Sequence, residues 1–262
     1  MRPNDFQDQA DGLRRLLHAA PPEVLAVLPC GAGSMNWVTD QLRARAAAGS
    51  RLLALEERQS SGNLADCLGI SPRFDLATAV QGELPLDSCL CEAMPGLDVA
   101  LAVGLANTLG SDRIFNQRCV AQLRAMRSLW DEWLILARGG TIEGFSQLSL
   151  AAPRFLVVLS SDPMSLTAAY ACLKRIAVCG GERHVSVCLV GKQNEQGHEM
   201  LQRLCDVVLQ RLDMPLVVVD SLGAALAFGA RENGVSADAF IERLVQTAGG
   251  VRGSGVRVRA KG

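Results

Sequence analysis

The chain has 262 residues, 49% of them hydrophobic and 20% charged, with a formal net charge of −1. A length of this order buries one large core or two small ones, and a near-neutral balance excludes a global basic field for nucleic acid. Aromatic residues make up only 4%, too few for a platform on which single-stranded bases would stack.

In chain order, residues 5–18 read as a short amphipathic helix with Phe6, Ala10, Leu13 and Leu17 along one face, and Pro21-Pro22 separates it from the next element. The opening MRPNDFQDQADGLRR is too polar for a signal peptide, so a cytoplasmic protein is expected. Apolar runs then recur at Val24–Leu28, Leu52–Glu56, Val99–Val103, Trp133–Ala137, Phe155–Leu159, Val185–Val190 and Leu216–Val219. Helical candidates lie at about 36–48, 62–69, 113–130, 164–178, 196–211 and 236–247. The runs are too uniformly apolar for half-exposed strands, which implies a mainly parallel sheet covered on both faces. The expected fold is a doubly wound α/β domain over 21–248, preceded by a helix and linker (1–20) and followed by a flexible tail (249–262).

That tail carries Arg252, Arg257, Arg259 and Lys261, many glycines and no acid. Before it, Phe240, Ile241, Leu244 and Val245 share one helix face, which either packs on the core or touches a membrane. Asp238 and Glu242 on the same segment weaken attraction to anionic lipid, so at most a weak peripheral contact at the inner membrane is expected. The longest uncharged apolar stretch, Val99 to Ser111, is too short for a bilayer span and contains Gly and Asn. The nine cysteines are scattered and never spaced C-x-x-C, the pattern of reduced, buried thiols. Cys89-x-Cys91 is half of a metal motif, but His18, His184 and His198 offer no paired spacing to complete it, so no metal site is expected.

The chemistry-bearing feature is VLPCGAGSMNW, Val27 to Trp37: a strand, a glycine turn and a helix start, the outline of a phosphate-binding loop. A working loop of this kind supplies backbone N–H groups, a Lys for the β/γ-phosphates and a Ser/Thr hydroxyl for Mg²⁺. Here Ser34 and Met35 hold the last two places. Ser brings no cation, and a thioether is a poor ligand for a hard metal ion. Gly31, Gly33, Ser34, Met35 and Asn36 are therefore read as a vestigial nucleotide loop, with no catalytic residue and no cofactor expected and binding of ATP or Mg²⁺ doubtful.

Three segments together resemble the FlhG (FleN) family of MinD/ParA-type ATPases, which regulates flagellar number and placement. Asp8-Gln9-Ala10-Asp11-Gly12-Leu13-Arg14-Arg15-Leu16 is similar to that family's D-Q-A-x-x-L-R-x-L signature. SSDPMSLTAAYACLKRI (Ser160–Ile176) resembles its strand-end turn and following helix. GNLADCLGISPRFDLATAVQG (Gly62–Gly82) resembles its helix, turn and later short helix after the second strand. The likeness covers roughly residues 5 to 220 and implies a P-loop NTPase-like fold.

Laid on the family's K-G-G-V-G-K-[ST], this chain places Pro29 and Ser34 at the two lysines and Met35 at the metal-binding hydroxyl. The family's D-x-D falls on Glu56-Glu57-Arg58, its fourth-strand Asp on Ala137, and its adenine-reading Asn near Gly191. The resemblance implies that Asp8, Gln9, Ala10, Leu13 and Arg14 contact an FlhF-like SRP GTPase and stimulate its hydrolysis, with other flagellar basal-body or regulatory proteins as further partners. Gln9 would help to orient the attacking water. Two rival expectations are a divergent, active ATPase using Arg58 or Lys192, and a ParA-like module that pairs with an active ATPase and tunes it.

Overall fold

A computed structural model describes residues 21–138, 145–179, 183–191, 195–229 and 236–249, so the segments read as N-terminal helix and basic tail lie outside the described residues. In chain order come β1 (Glu23–Cys30), α1 (Ser34–Ala47), β2 (Leu52–Glu56), α2 (Leu64–Leu68), α3 (Leu76–Gln81) and a 3-10 turn (Leu86–Cys89). Next are β3 (Leu90–Met94), β4 (Leu97–Leu101), α4 (Val103–Thr108), α5 (Arg113–Met126), β5 (Glu132–Leu136), α6 (Gln147–Ala151) and β6 (Arg154–Ser160). The chain continues through α7 (Pro163–Val178), β7 (His184–Val190), α8 (Glu195–Leu212), β8 (Val217–Val218), α9 (Leu222–Ala227) and α10 (Ala237–Gly249).

Among the described residues the strands form one sheet in the order β3-β4-β2-β5-β1-β6-β7-β8. Every neighbouring pair is parallel except β3–β4. The reason for the unbroken apolar runs is visible along β1. Val24, Ala26, Leu28 and Cys30 join the cluster under α5, α7, α8 and α10, while Leu25 and Val27 join the cluster under α1 and α9. Both faces are dry, so the strand has no polar alternation.

The sheet differs from the sequence expectation at one edge. Leu90–Met94 is a strand outside the predicted runs; it pairs antiparallel with β4 and is half-exposed, with Glu92 pointing to solvent, so it lacks a buried strand's signature. The run expected at 99–103 is shifted: β4 spans Leu97–Leu101, and Val103 begins α4. The Asp75 carboxylate turns the chain there, accepting from the N–H groups of Gly104 (2.8 Å) and Leu105 (3.1 Å). The helix expected to run to residue 130 ends at Met126, because Trp130 folds back to donate its indole N–H to Asp98 at 2.8 Å. Phe240, Ile241 and Leu244 are buried in the core, leaving only Val245 of that face partly exposed, so this face serves packing. No described helix is long and apolar enough to cross a membrane.

Candidate functional site

The loop after β1 lies where the winding of the sheet reverses. β1 and β6 are neighbours, yet α1, which follows β1, covers one face and α7, which follows β6, covers the other. The crevice outside the carboxyl ends of two such strands is where open α/β sheets place their ligands. Residues 31–36 and 160–165 meet there.

Gly31 (φ 98°) and Gly33 (φ 76°) take left-handed conformations, and Gly33 forms the N-cap of α1 without any side-chain cap. Gly31, Ala32 and Gly33 are exposed. The two next residues point the other way. Ser34 is 2% exposed, and its hydroxyl donates to the Gly31 carbonyl at 2.7 Å, closing the loop on itself. Met35 is 7% exposed and packs with Leu25, Val27, Val38 and Leu64. Asn36 is exposed, and its side-chain oxygen accepts from the Cys67 thiol at 3.4 Å. The loop therefore presents no cation, and no hydroxyl stands at the metal position. Residues 31–36 thus lack the lysine and the Ser/Thr metal ligand that a Mg²⁺–triphosphate loop uses.

Behind the loop, α7 is fastened to it. Asp162 caps the helix by accepting from Ser165 N–H at 2.9 Å, and its other oxygen accepts from the Ser160 hydroxyl at 2.6 Å. These two bonds hold the Asp162 carboxyl below its ordinary range, the Ser160 hydroxyl contributing most. Ser165 accepts from Ser160 N–H at 2.8 Å and donates to the Cys30 carbonyl. Its hydroxyl occupies the space a side chain at Gly31 would need. The segment Ser160–Ile176 was recognisable in the sequence, but this contact was not, because its partners are 135 residues apart.

The acids at the end of β2 are also built into the interior. Glu56 is fully buried and accepts from Leu64 N–H (2.7 Å) and Arg58 N–H (2.9 Å), so it fastens the start of α2. Burial pushes its carboxyl up to about 7, against the pull of those two bonds and of the Arg58 charge. Glu57, equally buried, accepts from the hydroxyls of Ser146 (2.5 Å) and Ser149 (2.8 Å) at the start of α6. Desolvation raises this carboxyl too. Arg58 is half-exposed and close enough to act electrostatically on Cys30 and Glu56. Ala137 is buried and its N–H donates to Val27 at 3.0 Å, while Arg138 donates to Asn107 at 2.8 Å. Gly191 follows β7 with φ 97° and open space where a Cβ would stand.

Asp8, Gln9, Ala10, Leu13 and Arg14 lie outside the described residues, as does Lys192. A cleft of about 730 Å³ opens between α7 and α8, lined by Ser161, Leu166, Tyr170, Met200 and Leu204 among others. None of residues 31–36 lines it, although Ser161 and Pro163 belong to the turn that meets the loop. Among the described residues no three or more His, Cys, Asp or Glu side chains are grouped as a metal site.

No protein-family model matches the chain, and no curated protein matches its sequence. Solved structures do share its shape. MinD, a cell division protein of Aquifex aeolicus, aligns with a TM-score of 0.53 at 18% identity, over 87% of this chain and 97% of that one. A variant of McdA from Cyanothece, in complex with ATP, gives a TM-score of 0.52 at 15% identity, over 88% and 98% of the two chains. Cobyrinic acid a,c-diamide synthase from Mycobacterium smegmatis gives a TM-score of 0.55 at 15% identity, over 84% and 91%. At these identities the likeness is one of fold: a P-loop NTPase-like sheet of the MinD/ParA type.

Proposed function

We propose that this chain is a MinD/ParA-type regulator that acts by binding other proteins and does not hydrolyse ATP. The carrying observation is the inward commitment of Ser34 and Met35. Where a nucleotide loop needs a cation and a metal ligand, this one has a hydroxyl bonded to its own backbone and a thioether in the core. Phosphoryl transfer depends on positioning and on electrostatic stabilisation of developing charge. Neither remains at this loop. The purified chain with Mg²⁺ and ATP is expected to release phosphate no faster than a buffer blank. Turnover that disappears when a residue in 29–36 is changed would overturn the proposal. The second reading, a divergent ATPase, rests on Arg58 beside the loop and would win in that case.

The setting we propose is flagellar, with an FlhF-like SRP GTPase as partner and Asp8, Gln9, Ala10, Leu13 and Arg14 as the contact. The support is the signature those residues match, beside a loop that matches its counterpart poorly. Full-length chain should accelerate GTP hydrolysis by FlhF, and a chain lacking residues 1–20 should not. Leu13→Ala should weaken binding about tenfold by removing buried apolar surface. Gln9→Ala should lower the stimulated rate more than the affinity, as expected of a group that orients water. Equal stimulation by the full-length and truncated chains would remove the flagellar assignment while leaving the first proposal intact.

A further inference from the structure

Cys30, the last residue of β1, meets Cys172 of α7 directly behind the loop, their sulfurs 3.9 Å apart. Both thiols are buried, at 3% and 0% exposure. Ser165, two turns earlier on α7, donates to the Cys30 carbonyl and fills the space beside Gly31, so β1 and α7 are already fastened one residue from the sulfur. A disulfide bond is about 2.0 Å long, so the sulfurs must approach from 3.9 Å, the motion being rotation of the two side chains about their Cα–Cβ bonds.

We propose that Cys30 and Cys172 form a reversible disulfide when the protein meets a peroxide, and that this bond clamps the loop onto α7. One sulfur, as thiolate, attacks a peroxide oxygen, giving a sulfenic acid and releasing hydroxide that is protonated to water. The second sulfur then displaces hydroxide from the sulfenic acid, giving the disulfide and a second water. Two thiol hydrogens are lost, and hydrogen peroxide is reduced to two waters. The exposed Gly31-Ala32-Gly33 segment adjoins Cys30, so local opening of this loop is what would admit the oxidant. The hydrogen bond to Cys172 and burial push the Cys30 thiol upward, so the closed site reacts slowly and sustained oxidant is required. The inference holds whether or not the chain hydrolyses ATP.

The test uses the full chain treated with hydrogen peroxide, alkylated, digested without reductant and analysed by mass spectrometry. A peptide pair joined through Cys30 and Cys172 is expected, and it should vanish with dithiothreitol. Because the bond closes a loop of more than a hundred residues, oxidised protein should melt about 5–10 °C above the reduced form. Cys30→Ser and Cys172→Ser should each abolish both the joined peptide and the rise. Cys179, which is exposed, supplies the control: Cys179→Ser should change neither. The proposal is overturned if Cys30 and Cys172 are still recovered as alkylated thiols once Cys179 has been oxidised. It is equally overturned if oxidised parent melts no higher than oxidised Cys172→Ser.

Discussion

Gly31→Ala is expected to lower the melting temperature by about 10 °C, whereas Gly33→Ala should lower it by only a few degrees. Both glycines are left-handed, so each substitution carries the strain of about 1–2 kcal/mol that an L side chain meets there. They differ in what the new methyl group touches. At Gly33 nothing lies within 4 Å, but at Gly31 it would stand 2.5 Å from the Ser165 hydroxyl and 2.6 Å from that of Ser160. Neither serine is free to turn away. Ser165 is engaged with Cys30 and Ser160, and Ser160 with Asp162. Overpacking against fixed neighbours adds about 1–3 kcal/mol to the strain. Urea or thermal denaturation of the two variants measures the difference. Equal losses would mean that α7 does not press on the loop, and the picture of a closed, self-bonded loop would fail with it.

That loop also shows how far the sequence could be read. Its glycines, its position after an apolar strand and its missing Lys are local features, visible without any fold. The inward turn of Ser34 and Met35 is visible only once the strands and α1 are assembled around them. The same distinction divides the fold. β1, β2, β5, β6 and β7 are covered on both faces, so their burial is written into consecutive residues. β3 is a half-exposed edge, and α4 is capped by an Asp some thirty residues earlier in the chain, so neither leaves a local pattern. Glu57 is the extreme case. Its partners Ser146 and Ser149 are 89 and 92 residues away, and no spacing rule connects a strand-end acid to serines so distant. The family comparison of Glu56-Glu57-Arg58 pointed to an altered nucleotide contact; the structure adds that both acids are used to fasten helices.

Glu56 makes this structural use measurable through pH. Its carboxyl titrates at about 7 in the folded chain, compared with 4.5 for an ordinary glutamate. Below about 4.5 the group is protonated in both states and imposes no cost. As pH rises, the unfolded chain ionises first while the folded chain keeps its proton, so folding is progressively disfavoured until the folded group also ionises near 7. Stability contributed by the neutral carboxyl is therefore complete at low pH and lost across this window. The loss amounts to about 3 kcal/mol, because each tenfold difference in proton affinity between the two states is worth roughly 1.4 kcal/mol. Glu57 is displaced in the same direction, so the parent chain should fall more steeply than Glu56 alone requires. Glu56→Gln keeps one acceptor oxygen and does not titrate. It should be less stable than the parent near pH 4, having lost one of the two backbone bonds, and should gain on the parent steadily towards pH 8. Urea midpoints at a series of pH values give both curves. If they run parallel, Glu56 does not hold its proton in this range. Convergence would show a strand-end acid that is only partly ionised near neutral pH. Both of its oxygens are committed to backbone N–H groups, of Leu64 and Arg58, which fits it to fasten the start of α2.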